Sequence, residues 1–445
     1  MRPILIAALL CATTLARVAH ADDPKIEFEK YKLPNGMEVI LSPDDRVPLV
    51  AVHIWYHVGS GNEVPGKSGF AHLFEHVMFQ GSKNTGKDMH FEIMRKIGST
   101  ELNGTTNTDR TNYFETVPSQ FLETALWVES DRMGHLLDFI QRKDVDEQID
   151  VVRNERRQNY DNVPFRKALF ALYAALYPEG HPYRYLTIGK HEDLTSATMD
   201  DVTGFFKTWY VPSNATLAIV GDFKPAEAKE LIQKWFGSYP ASEKPKTVVV
   251  PAPTVKAQTI TVDDSFAKQR QIVFAWHSPA MFAAGDAELD IAANALGAEG
   301  RGRLYKALVL DNQLATRVSA SQDGASFSGT FDVTVTLRSE ADLEQVKKIV
   351  VDEVAKVTKE NLSDKEIQRV VTASEASAIY RLESLNNRAY TLQTYNQFLG
   401  DPGKLSWDLD RYRKATADGI RGYAAKYLMP SSMVTIITNP TGGAK

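Results

Sequence analysis

Cysteine is almost absent from this chain of 445 residues, which contains only Cys11. Cys11 lies in an apolar run over residues 4–15, and a small-x-small pattern follows at residues 19–21. Residues 1–21 are therefore predicted to be a secretory signal peptide that is cleaved after Ala21. The remaining chain would have no thiol, which excludes disulfides and cysteine catalysis. We expect an exported protein, periplasmic in a bacterial cell or, alternatively, secreted.

Several other features are missing. No later stretch reaches the roughly 18 apolar residues that a membrane span needs. The formal net charge is −5, or −7 without Arg2 and Arg17, and this mild acidity predicts binding to neither nucleic acid nor anionic membranes. The segment Gly297–Gly302 lacks the Lys-Ser/Thr ending of a Walker phosphate loop. A zinc-scavenging protein would need a His-rich tract, and the sequence has none.

The composition indicates at least two packed domains, since 43% of the residues are hydrophobic and 24% are charged. A Pro-rich polar stretch at residues 237–254 has the character of an interdomain linker. It divides the mature chain into predicted domains at residues 22–236 and 255–445. Strand-like and helical segments mix in both, and Leu33–Ile40 is a hairpin candidate. The fold class predicted is α+β, with mainly antiparallel sheets and packed helices.

An internal repeat predicts that the two domains are homologous halves. Each begins with a strand-like Val-x-x-Trp, at Val52–Trp55 and at Val273–Trp276. In each, a loop and a helix follow, and a glycine, Gly81 or Gly297, is expected to end the helix.

The most informative segment is a His-x-x-Glu-His sequence at residues 72–76. On a helix, at about 100° per residue, His72, Glu75 and His76 share one face, and the apolar residues around them gather on the other. Two neutral imidazoles four residues apart can hold one zinc ion, and Glu75 can act as a general base. Ser68 is expected to cap this helix. The alternative is a chance match on a solvated helix face.

The surrounding residues resemble a known family, the inverted-motif zinc peptidases that include pitrilysin, insulysin and the mitochondrial processing peptidases. The resemblance rests on three further segments in the right order, Gly59–Glu63, Gly69–His72 and Phe79–Ser82. It implies a zinc endopeptidase with one Zn²⁺ per chain, in which two α+β halves close like a clam around a chamber. Its substrates would be peptides or unfolded protein segments.

The resemblance also implies the third zinc ligand, because the family's downstream glutamate matches Glu155. Val145, Ile149 and Val152 form a helical apolar stripe with Glu155 on its flank, so an ordinary surface ion pair with a neighbouring arginine is the alternative. Family members often carry a second glutamate seven residues earlier. Here that position is Gln148, which weakens the auxiliary charge.

The second half is predicted to have lost the metal. Counting back from Gly297 as from Gly81, the positions of His72, Glu75 and His76 correspond to Glu288, Ile291 and Ala292.

A substrate-binding strand is implied at Asn103, Gly104 and Thr105, which resemble the family's edge strand. Such a strand holds an extended peptide by backbone hydrogen bonds. The alternative is an ordinary Thr/Asn-rich surface hairpin.

One departure from the family bears on partners. Relatives that act alone carry an arginine and a tyrosine in the second half, and here Val309 and Thr316 occupy those positions. The expectation is therefore a catalytic subunit of a hetero-oligomer, whose homologous partner lacks the zinc motif and supplies the pair; a homodimer is possible. The alternative is a noncatalytic homologue that acts as an assembly or peptide-binding subunit. His53, His57 and His181 are interpreted as structural, since the first two lie on a predicted strand.

Overall fold

The computed structural model describes residues 23–247, 250 and 253–442. The predicted signal peptide and Cys11 lie outside the described residues. Two β-sheets with helices packed on them confirm the predicted α+β fold. Among the described residues, no helix has the length and apolar character that crossing a bilayer requires.

The first half contains a six-stranded sheet in the order β1-β2-β6-β3-β5-β4. Only β2 and β6 pair in parallel. The predicted hairpin at Leu33–Ile40 is present, since β1 and β2 pair antiparallel. The strands are β1 Glu29–Lys32, β2 Glu38–Pro43, β3 Leu49–Tyr56, β4 Thr100–Thr106, β5 Thr111–Pro118 and β6 Ala215–Gly221.

In the part of the chain that the structure describes, eight helices belong to this half, and most of them cover one face of its sheet. Val52, Ile54 and Tyr56 of β3 point into the core formed with these helices, because alternate residues of a strand share a face. The helices are α1 Phe70–Val77, α2 Met89–Lys96, α3 Leu122–His135, α4 Arg142–Arg156, α5 Arg166–Leu176, α6 His191–Thr195, α7 Met199–Trp209 and α8 Pro225–Phe236.

The second half has a five-stranded sheet in the order β7-β11-β8-β10-β9, with one parallel pair between β7 and β11. The strands are β7 Gln258–Asp264, β8 Gln271–Ser278, β9 Ala315–Asp323, β10 Gly329–Leu337 and β11 Val434–Pro440. The helices are α9 Asp286–Gly297, α10 Arg303–Tyr305, α11 Leu343–Lys359, α12 Asp364–Arg381, α13 Leu385–Leu399, α14 Leu405–Arg413 and α15 Ala417–Tyr427. Its strand order repeats that of the first sheet without β1, which agrees with two homologous halves.

The two Val-x-x-Trp segments do not occupy equivalent positions in the two sheets. Trp276 points into the core of its own half, whereas Trp55 points to the opposite face of its sheet and contacts Tyr390 of α13. Ile54 and Trp276 both face their own cores, and each is the sixth residue of an eight-residue register with the neighbouring strand. The sequence alignment was wrong by one residue, which reverses the face of every side chain in a strand.

The halves exchange one helix each. α13 of the second half covers the outer face of the first sheet, where Leu385, Ala389 and Leu392 form a cluster with strand residues. Reciprocally, α5 of the first half covers the outer face of the second sheet through three apolar side chains, Ala168, Leu172 and Leu176. Each sheet is thus covered on one face by its own helices and on the other by a helix from the other half.

Polar contacts also join the two halves along the seam, which is the interface formed by α5, α13 and the outer faces of the two sheets. Gln393 of α13 donates to the Thr216 carbonyl at 2.8 Å, and the Phe165 N–H donates to Asp264 Oδ2 at 2.7 Å. Arg388 forms an ion pair with Asp44. Two of the seam cavities are each about 340 Å³, and Trp55 and Tyr183 line one of them. The clam-like closure around a chamber and the domain limits stay predictions.

Candidate metal centre

The helix α1 presents a polar and an apolar face, as the sequence indicates. Phe70, Leu73, Phe74 and Val77 are buried in the first core, and Phe74 stacks on Phe205 with ring centroids 4.7 Å apart. The opposite face therefore carries the His-x-x-Glu-His side chains toward the surface. Burial of the apolar face fixes the rotation of the helix and so the direction of its polar side chains.

The start of α1 differs from the sequence expectation. Gly69, with a φ of 90°, precedes the first helical residue, and the hydroxyl of Ser68 donates to Asp193 at 2.5 Å instead of capping the helix. Glu63 takes the capping role, since its carboxylate accepts the N–H groups of Gly69 at 3.0 Å and Ala71 at 2.9 Å. Burial raises the pKa of Glu63 to about 8, and these two N–H bonds oppose that rise. The helix ends at Val77, earlier than Gly81.

Glu155 is carried to the same place by α4. Val145, Ile149 and Val152 are buried, as their spacing predicts, and Glu155 follows on the helix flank. The neighbouring arginines bind elsewhere: Arg153 pairs with Asp150, Arg156 with Asp161, and Arg157 donates to Asn154. The surface ion pair considered as the alternative for Glu155 is therefore not formed with these arginines.

Three potential ligand atoms converge. The Nε2 atoms of His72 and His76 are 3.3 Å apart, and Glu155 Oε2 lies 3.6 Å from the first and 3.5 Å from the second. Zinc bonds of about 2.0–2.1 Å in tetrahedral geometry would space their ligand atoms by about 3.3–3.4 Å. Two imidazoles and one carboxylate are also a common donor set for a catalytic zinc. The side chains of His72, His76 and Glu155 fit a zinc ion.

The protonation states suit the same purpose. Burial, and next the neighbouring His76, lowers the pKa of His72 to about 4, so His72 is neutral at pH 7. A hydrogen bond with His76 is the main factor that lowers the pKa of Glu155, which stays ionised. Neutral imidazole and carboxylate are the forms that bind metal. The side chain of Glu155 keeps 35% of its exposure, so the centre is open to solvent.

Glu75 faces the edge strand β4. Its Oε2 accepts a hydrogen bond from the Thr106 hydroxyl at 2.6 Å. Burial raises the pKa of Glu75, and the Thr106 hydroxyl opposes that rise. Gly104 lies directly beside it, because a Cβ atom at position 104 would come within 3.0 Å of Glu75 Cγ. Thr106 belongs to the strand that resembles the family's edge strand, but its contact with Glu75 was not predicted from the sequence.

β4 is at an edge of its sheet and pairs with β5. Asn103 is exposed on it, and its side chain accepts the N–H of Gly104 at 2.9 Å. Thr105 is half-buried and donates through its hydroxyl to Asn112 at 2.6 Å. An exposed sheet edge is what strand addition requires, while the substrate-binding role of Asn103, Gly104 and Thr105 stays a prediction.

A second group of potential ligands, His90, Glu115 and Glu129, lies buried in the first core. Arg132, also buried, binds Glu129 through two nitrogens. Burial and the charge of Glu129 raise the pKa of Glu115 well above its usual range, so Glu115 is held neutral. A cation would be repelled by Arg132, and these residues therefore fit an internal ion pair better than a metal.

The remaining residues singled out in the sequence have ordinary surroundings. Val309 packs against the second core, and the Thr316 hydroxyl donates to the Thr336 carbonyl at 3.3 Å. Gln148 is buried in α4. His53 and His57 bind Asn386 and Gln397 of the second half, and His181 stacks on Tyr177.

Two family profiles match the chain. One, described as insulinase (peptidase family M16), matches residues 38–183, and the other, described as the peptidase M16 inactive domain, matches residues 196–374. The first range contains the candidate metal centre. The second contains α9, where the polar motif is missing.

Similar proteins span nearly the whole chain. A zinc protease named PqqE from Helicobacter pylori is 26% identical over 439 residues, which cover 96% of this chain and 96% of the relative. The crystal structure of a protease from Helicobacter pylori superposes with a TM-score of 0.87 and 25% identity, over 94% of this chain and all of that one. The structure of the periplasmic protease PqqL from Escherichia coli gives a TM-score of 0.78 at 18% identity, over 94% of this chain and 48% of that one.

Proposed function

We propose that this chain, which belongs to the insulinase family of peptidases (family M16), is a zinc-dependent endopeptidase that cleaves peptides or unfolded protein segments. The observation that carries the proposal is the convergence of His72 Nε2, His76 Nε2 and Glu155 Oε2 within 3.6 Å of one another. These three residues would hold one Zn²⁺. Zinc there would supply a Lewis acid that polarises the peptide carbonyl and lowers the pKa of water.

Glu75 and the edge strand β4 have separate roles in the hydrolysis. Glu75 takes a proton from the attacking water and delivers it to the amine nitrogen that leaves as the peptide bond breaks. The edge strand β4, at Asn103, Gly104 and Thr105, holds the substrate extended beside α1 through backbone hydrogen bonds. Strand addition reads the backbone more than side chains, which suits unfolded substrates.

Metal analysis beside a peptide-cleavage assay tests this function. Glu75→Gln should keep one zinc per chain and lose turnover by about a hundredfold or more, because the base is removed and the ligands stay. Glu155→Gln should lose the zinc. Glu147→Gln is the matched control on the same helix, since Glu147 is exposed and pairs with Lys87; it should keep both zinc and turnover. Full turnover in Glu75→Gln would refute the proposal.

We further propose a hetero-oligomer in which this chain is the catalytic subunit. Val309 and Thr316 stand where lone-acting relatives have the arginine and tyrosine that contact substrate, and loss of such donors costs about a hundredfold in rate. A homologous subunit without the zinc motif would supply them. Activity should therefore rise strongly when the purified chain is mixed with such a homologue. Full activity of the lone chain would contradict this assembly.

Export to the periplasm is proposed from residues 1–21 and from the likeness to PqqL, which is described as periplasmic. Cell fractionation should find the chain in the periplasmic fraction, with residues 1–21 removed by cleavage after Ala21. A full-length chain in the cytoplasmic fraction would contradict this location.

A further inference from the structure

The edge strand β4 contacts the general base directly. Thr106 is the last residue of the strand, and its hydroxyl donates to Glu75 Oε2 at 2.6 Å. An ionised carboxylate can only accept hydrogen bonds, so the Thr106 hydroxyl must be the donor. This bond occupies one carboxylate oxygen and leaves Oε1 to receive a proton.

The aliphatic part of the Glu75 side chain is also held in place, because β4 packs against it. A Cβ atom at position 104 would lie 3.0 Å from Glu75 Cγ, 3.1 Å from Phe79 and 3.2 Å from Tyr113. Gly104 therefore allows β4 to lie against the side chain of Glu75 at a distance that a larger residue would not permit. Two neighbouring features of one strand thus fix the direction of the carboxylate.

The end of β4 is itself held by a buried arginine. Arg110 donates through Nη1 to the Thr105 carbonyl at 2.8 Å and to the Thr105 hydroxyl. Its guanidinium lies 5.1 Å from the Trp55 ring and 5.7 Å from the ring of Tyr390 on α13. The hydroxyl that contacts Glu75 is therefore attached to a strand end that is fixed from both halves of the molecule.

We propose that Thr106 is a positioning residue, which orients Glu75 so that Oε1 can take the proton from the attacking water. This inference rests on the proposed peptidase function. In the reaction, water loses one proton to Oε1 and adds to the carbonyl carbon, and the same proton then passes to the leaving amine as the C–N bond breaks. Thr106 keeps its own proton throughout. It orients the Glu75 carboxylate and takes no part in the proton transfer.

Thr106→Val tests the inference because valine has nearly the same shape and no hydroxyl. Loss of a hydrogen bond to a charged group should lower kcat by about 10- to 100-fold. KM should stay within about twofold and the zinc content should not change. Thr106→Ser restores the hydroxyl and should return kcat to within about threefold of the wild type. Thr208→Val is the control, since the Thr208 hydroxyl bonds within α7 at Gly204; it should behave as the wild type.

A crystal structure of Thr106→Val gives a readout that does not depend on turnover. The Glu75 carboxylate should leave its wild-type position or occupy two rotamers, while His72, His76 and Glu155 stay in place. An active wild type with an equally active Thr106→Val, or a Thr106→Ser as impaired as Thr106→Val, would overturn the inference and leave the peptidase function standing. A zinc-loaded wild type that cleaves no peptide, alone or with a homologous subunit, would overturn the function itself.

Discussion

The helices α1 and α9 begin in the same way and have different surroundings. Each follows a glycine in the left-handed region, Gly69 with a φ of 90° and Gly285 with a φ of 99°. Counted from these glycines, His72, Glu75 and His76 correspond to Glu288, Ile291 and Ala292, the same correspondence that the sequence repeat predicts. Two potential ligands and a base on one helix are thus matched by a single carboxylate on the other.

The surroundings explain why only α1 can serve a site. Ile291 and Ala292 are fully buried, and α9 is covered on nearly every side. β9 lies so close that a Cβ atom at Gly297 would come within 2.2 Å of the Ala320 nitrogen. On α1 the corresponding polar face stays accessible, with 17% of the His72 side chain exposed. A shared fold therefore gives a metal centre only where the helix face is left open.

The helices α3 and α11, which follow the β4–β5 and β9–β10 hairpins, also differ in the side chains that they bury. α3 buries charged side chains, among them Glu129, Asp131 and Arg132. Its counterpart α11 buries only apolar residues, four valines. α3 therefore depends on ion pairing between buried charges, whereas α11 depends on apolar packing.

The largest expected effect comes from making α1 resemble α9. His76→Ala introduces the residue that α9 has at the same position and removes one of three ligands. Zinc affinity should fall by more than about a hundredfold, since even changes to residues behind a ligand cost about 10- to 100-fold, and turnover should be lost with it. Metal analysis and a cleavage assay measure both.

The matched control for His76→Ala is Glu288→Ala, which removes the one carboxylate that α9 retains among the three positions. It should leave zinc content and turnover unchanged. Equal zinc in the His76→Ala protein and the wild type would remove the distinction between the two helices.

An intermediate effect is expected from the buried ion pair of α3. Arg132→Met leaves Glu129 buried without its partner, which should lower the free energy of unfolding by about 3–5 kcal/mol. Arg338→Met, at an exposed position of the second half, should change it by less than about 0.5 kcal/mol. Chemical denaturation measures both. Equal, small losses would show that the buried ion pair of α3 contributes little to the free energy of unfolding.

The smallest effect concerns the seam faces of β3 and β8. Burial lowers the pKa of His53 to about 3, and Val273 lies on the corresponding outer face of β8. In the unfolded chain His53 binds a proton below about pH 6.5, whereas in the folded chain it stays neutral, so stability falls as the pH falls below 6.5. Between pH 7 and pH 5 the wild type should lose about 2 kcal/mol more than His53→Val. Urea denaturation at both pH values checks this, and equal losses would contradict it.

The sequence predicted the parts of the centre that depend on local periodicity. The phase of α1 follows from alternation of polar and apolar residues, and the stripe of Val145, Ile149 and Val152 fixes the flank on which Glu155 lies. The position of Glu155 beside His72 and His76 came from the family resemblance, because periodicity cannot say which helices meet.

Features that depend on distant contacts were missed or wrong. Ser68 was expected to cap α1, but Asp193, far along the chain, binds its hydroxyl. The Val-x-x-Trp repeat would make Trp55 and Trp276 equivalent, but Trp276 lies in the core of its own half and Trp55 contacts α13 of the other half. The contact between Thr106 and Glu75 links a strand to a helix and has no local signature.

Because α5 and α13 are exchanged, each half depends on a helix of the other half to cover its sheet. A half expressed by itself would present a bare apolar sheet face to water, and such a face invites aggregation. Conversely, if the chain were cut in the segment 237–254, the two fragments would be expected to stay associated, as in split-protein complementation. Neither half could therefore become an independent protein without a new cover for the outer face of its sheet.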